Sequence, residues 1–81
     1  MNDADLCIGR FPAHEFSIRR LYASDPDFRE LCENYATAVS ALERWSYDAI
    51  KSEDYRQIIK ELEEEILDIV ETQQPLDRAV S

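Results

Sequence analysis

Apolar residues recur along two stretches of the chain at alternating intervals of three and four: Phe28, Leu31, Tyr35, Ala38, Leu42 and Trp45, then Tyr55, Ile59, Leu62, Ile66 and Ile69. This period draws one narrow apolar stripe along a helix and turns it toward a partner lying alongside. Two such helices joined by the short polar stretch 46–52 predict an all-α fold built on a coiled-coil-like antiparallel two-helix hairpin. Leu31, Tyr35, Leu42, Ile59, Leu62 and Ile66 are the expected core between them. Cys32, Val39, Ile58, Leu67 and Val70 flank the stripes and widen the apolar surface beyond one seam. A second copy of the chain, pairing two-fold into a four-helix bundle, would cover them, and so in part would a further helix of the same chain.

The breaks in the pattern set the boundaries. Residues 1–10 show no periodicity and read as a flexible lead. Phe11-Pro12 fixes an extended residue before a proline suited to a first helical turn, and a short helix is expected over 13–23. Its small patch of Ile18, Leu21 and Tyr22, with Phe16 to one side, must dock on something else to be stable. Ser24-Asp25-Pro26-Asp27 is the sharpest boundary, combining capping side chains, a first-turn proline and an acid at the positive helix end. One long helix should follow to residue 45 or 46. The second should begin at Glu53, capped from Ser52-Glu53-Asp54, and run to Thr72. Pro75 disfavours helix at Gln74. The expected organisation is thus a lead over 1–10, a single helical domain over 11–72 and a flexible tail over 73–81.

Composition narrows the function classes. An 81-residue chain has room for one thin core, worth no more than ~3–5 kcal/mol. Its net charge of −9 is shared unevenly: residues 1–45 hold eight acids and five bases, residues 46–81 ten acids and four bases. With no basic stripe there is no footprint for a phosphate backbone, so neither direct nucleic-acid binding nor docking on an anionic membrane is expected. The start, MNDADLCIGRF, is acidic where a secretory signal is basic, and no apolar run approaches the ~18 residues of a membrane span. A cytoplasmic protein is the expectation, and in that compartment Cys7 and Cys32 are read as free thiols, Cys32 as a small buried hydrophobe.

Phe11-Pro12-Ala13-His14-Glu15, Ile18-Arg19-Arg20-Leu21 and Ala23-Ser24-Asp25-Pro26-Asp27-Phe28 resemble the opening of the YdcH-like proteins, short bacterial proteins with the pattern FPEH, then I-R-x-L, then (S/N)-x-P-x-F. Leu62-Glu63-Glu64-Glu65-Ile66 is similar to the L-K-D-E-I/M near the end of that family's last helix. The resemblance spans residues 11–71. It implies a short helix followed by a helical hairpin, in a family without an established molecular function, and supplies no catalytic or ligand residue. The chain departs from the family where the last helix begins: KSEDYRQIIKELEEE stands in place of a Lys/Arg-rich segment.

Little in the sequence points to chemistry. His14 is the single histidine and has no paired nucleophile, so no catalytic residue is assigned. Cys7, His14 and Cys32 lie in three separate segments without ligand spacing, and neither metal nor cofactor nor small-molecule substrate is inferred. Arg19-Arg20 reads as a surface pair. Two sets of residues are candidates for interaction. Glu61, Glu64, Glu65 and Asp68 form an acidic run in which Glu61 opposes Glu65 and Glu64 opposes Asp68 at i,i+4, either a docking face for a basic partner or a solvated face. Trp45 and Tyr47, near the hairpin turn with Tyr55 across it, could anchor a contact or close the open end of the core. The expectation is a non-enzymatic protein acting by helix–helix contact with itself, as a homodimer, or with another protein. The alternative is an acidic decoy that occupies the basic, nucleic-acid-binding surface of another protein.

Overall fold

The computed structural model describes residues 3–73, and among these residues every regular element is helical. Four α-helices follow one another: α1 (Asp3–Arg10), α2 (Glu15–Ser24), α3 (Pro26–Arg44) and α4 (Ala49–Gln73), with a 3-10 turn at Pro12–His14.

The first helix corrects the expectation of a flexible lead over 1–10. Ala4, Cys7 and Phe11 continue the three-four interval, and all three are buried. Asp3 and Asp5 in the first turn and Arg10 in the last match the signs of the helix ends. The Phe11 amide still donates to the Cys7 carbonyl at 2.9 Å, carrying the helical bonding up to Pro12, which opens the 3-10 turn. Eight residues alone make too few bonds to hold a helix in water, so packing against α2 and α3 is what orders α1.

The bend between α2 and α3 follows the sequence closely. Asp25 Oδ1 accepts from the amides of Asp27 and Phe28 at 3.0 and 3.3 Å, and Pro26 occupies the first turn, where no amide is needed. Arg29 reaches back and donates to the carbonyls of Tyr22 and Ala23 at 3.0 and 3.3 Å, satisfying the end of α2. The expected docking patch is present: Ile18 and Leu21 are buried and Tyr22 half-buried, while Phe16 is 91% exposed.

Helix α4 starts earlier than expected. Asp48, not the Ser52 cluster, is its cap: Oδ1 accepts from the amides of Ile50 and Lys51, both at 3.1 Å. Ser52 is instead buried and its hydroxyl donates to the Trp45 carbonyl at 2.8 Å, closing the turn. The cap at Asp48 makes α4 25 residues against 19 for α3, so the two are not of equal length. The helix includes Gln73; the tail expected beyond it lies outside the described residues.

Helices α3 and α4 pack on one another, and α1 and α2 lie against one end of that pair. The core gathers there: Cys7, Phe11, Ile18, Leu21, Phe28, Leu31, Cys32, Tyr35, Ile66 and Val70 form one buried cluster. Of the six expected core residues, Leu31, Tyr35 and Ile66 are buried, whereas Leu42, Ile59 and Leu62, toward the turn, are only half-buried. Of the five flanking residues, Cys32 and Val70 are buried in that same cluster, Val39 and Leu67 are half-buried, and Ile58 is exposed. The body is long and narrow, 50 × 21 × 20 Å, with a radius of gyration of 13.9 Å, against about 11–12 Å for a compact chain of this length.

Candidate functional site

At the turn, chain geometry holds apolar side chains out of the core. Trp45 ends α3 half-buried, and the hydrogen bond from Ser52 fixes its backbone. Its ring lies 5.8 Å from that of Tyr47 at a 38° tilt, and the Lys51 ammonium sits 3.7 Å above it. Tyr47 is 79% exposed and Ile50 77%, so Tyr47 does not close the end of a core. Along the adjoining groove, Thr37, Ala38 and Ala41 of α3 face Tyr55, Ile58 and Leu62 of α4 around an open volume of about 410 Å³. The small residues on α3 leave that groove unfilled.

The acidic run of α4 divides into two parts. Glu61, Glu64, Glu65 and Asp68 are all exposed, and Glu61 accepts from Gln57 Nε2 at 3.0 Å. Glu63, between them in sequence, turns inward. Its Oε2 accepts from Arg10 Nε at 3.0 Å and from the Tyr35 hydroxyl at 2.8 Å, so one carboxylate joins α1, α3 and α4. Burial, then the bond to Glu63, pushes the Tyr35 phenol up, and Glu63 likewise raises Arg10. Neither Arg10 nor the selection of Glu63 from its acidic neighbours is read from the sequence. The signal available was Tyr35, a seam position whose hydroxyl must find a partner when its ring is buried.

The remaining candidates are dispersed. His14 is half-buried at the end of the 3-10 turn. Arg19 is paired with Glu15 on its own helix at 2.9 Å, and Arg20 is exposed. Cys7 and Cys32 are free, fully buried thiols in contact with each other. Among the described residues, no group of three or more His, Cys, Asp or Glu side chains is placed to hold a metal ion, and no helix is long and apolar enough to cross a membrane. Comparison of the chain with protein-family models, with curated proteins and with solved structures finds no match.

Proposed function

We propose that this is a small cytoplasmic, non-enzymatic protein that works by helix–helix association, with α3 and α4 as an antiparallel hairpin whose turn end binds a second copy of the chain. The observation that carries this reading is a coincidence of two properties at that end. Leu42, Tyr55, Ile59 and Leu62 are half-buried there, with Ile50, Ile58 and Tyr47 exposed, an apolar surface of the kind that marks an interface. The same region is not acidic: residues 44–60 hold four bases and three acids, whereas residues 61–71 hold six acids and no base. Two copies meeting turn to turn avoid the like-charge repulsion that contact through the acidic end would bring. Two-fold pairing is the commonest closed arrangement for such a surface, and the resemblance to the YdcH-like proteins is in keeping with a helical hairpin. Light scattering coupled to size exclusion tests it. The expected mass at micromolar concentration is near twice 9.5 kDa, returning to 9.5 kDa in Ile58→Lys. A parent chain at 9.5 kDa would overturn the reading.

A second reading rests on the acidic face. Glu61, Glu64, Glu65 and Asp68 at intervals of three, one and three lie along one side of α4, all exposed. Such a row suits a decoy for a basic surface. A lysine-rich peptide should then bind at low salt and release near 0.15 M, where screening shortens to ~8 Å, and Glu64→Lys with Asp68→Lys should abolish the binding. Equal binding by the reversed variant would remove this reading.

A further inference from the structure

We propose that Cys7 and Cys32 form a paired oxidation site, closing to an intramolecular disulfide when the protein meets a hydroperoxide. The chain has two cysteines, 25 positions apart and on different helices, and the fold brings both into one apolar cluster at 0% exposure. They lie against each other across the contact of α1 with α3. Either cysteine alone reads as a small core hydrophobe; two thiols facing each other are a two-electron donor.

The roles of the two sulfurs differ. A hydrogen bond from the Cys32 thiol lowers the Cys7 thiol from its ordinary value, against burial and the nearby Asp3 carboxylate. The same bond, with burial, keeps the proton on Cys32. Cys7 lies on the short helix α1, whose opening bares it, while Cys32 stays on the long helix α3, and Cys7 is therefore assigned as the attacking sulfur. Its sulfur bonds to one peroxide oxygen, the O–O bond breaks, and the second oxygen leaves as water or alcohol with the thiol proton. The Cys7 sulfenic acid is then attacked by Cys32: the S–S bond forms, the S–O bond breaks, and hydroxide departs with the Cys32 proton as water. Two thiols are oxidised to one disulfide and one hydroperoxide is reduced. The second step joins groups already in contact, so the sulfenic acid does not accumulate.

Access and closure both fall to α1. This helix has eight residues and is held by packing and by the ion pair of exposed Arg10 with half-buried Glu63, so it can lift to admit a peroxide and shift to bring the sulfurs to bonding distance, about 2.05 Å. Once formed, the bond encloses residues 7–32 and fixes α1 on α3. Hydrogen peroxide on the full chain, read by intact mass without reductant, is the test. The expected product is a chain lighter by two hydrogens, its thiols unreactive toward maleimide after unfolding and both recovered with dithiothreitol. Added oxygen, a cross-link between two chains, or two thiols that stay titratable would each overturn the proposal. In Cys32→Ser, whose hydroxyl keeps a donor beside Cys7 but can close no disulfide, Cys7 should stop at the sulfenic acid and be trapped by dimedone; a Cys7 that takes up no oxygen there would overturn its assignment as the attacking thiol.

Discussion

The two ends of the α3–α4 pair carry the same apolar spacing and reach different depths. Where α1 and α2 lie across it, Phe28, Cys32, Ile66 and Val70 are sealed at 0–1% exposure. Toward the turn, Leu42, Ile59 and Leu62 remain half in water. Two cylinders touch along a line, so a pair of helices shields the crest of each stripe and leaves its edges wet. A third element laid over the seam is what makes a core. The three-four interval therefore tells which side faces a partner and is silent on how many partners there are.

The sharpest test of that contrast is a pair of truncations. Phe28→Ala should cost about 3–5 kcal/mol, comparable to the whole stability of a chain this small, and abolish a cooperative thermal transition. Leu62→Ala, already half exposed, should cost only about 1 kcal/mol in the single chain, well under the ~2–5 kcal/mol of a sealed leucine. Equal losses in the two variants would mean that the ends are packed alike.

Caps give a smaller difference. Asp25→Ala removes the acceptor for two amides at the bend that seats α2, and should lower the thermal midpoint by the equivalent of about 1 kcal/mol. Asp48→Ala removes an equally bonded cap at the turn end, where little is packed behind it. Faster amide exchange confined to the first turn of α4, with a smaller change in midpoint, is the expected result.

The smallest effect is pH dependence at the Tyr35–Glu63 contact. The folded protein raises the Tyr35 phenol above its unfolded value of about 10. Its contribution is therefore complete below that value and is lost as pH rises toward the folded one. Tyr35→Phe should cost about 1 kcal/mol at neutral pH and fall less steeply than the parent in thermal scans from pH 9 to 11. Parallel curves would show that Tyr35 keeps its proton equally in both states.

What the sequence disclosed follows from the range of the forces involved. The bend at Asp25-Pro26 and the stripes of α3 and α4 depend on residues within a turn or two, and were legible. Helix α1 was not: Ala4 is a weak hydrophobe, Cys7 counts as one only once it is buried, and Gly9 weakens any helical reading of eight residues. The interval of Ala4, Cys7 and Phe11 was the available signal. Ser52 reads as a cap because its own neighbours suit one; its carbonyl partner, Trp45, lies across the turn. Glu63 sits among like charges and only the arrangement of three helices selects it. The sequence puts Tyr47 and Trp45 near the turn, but nothing local says that Tyr47 stays exposed there while Trp45 is half-buried.

The position of Trp45 gives the chain a built-in optical reporter. It is the single indole in the sequence and it stands at the turn, beneath a lysine and beside Tyr47, remote from the sealed cluster. Its emission therefore follows the wetness of one end of the rod. A second copy covering that end would strip water from the ring and move the emission to shorter wavelength, while lifting of α1 at the far end would leave the spectrum where it was. Fluorescence read against concentration and against oxidation thus separates, without any label, events at the two ends of the molecule.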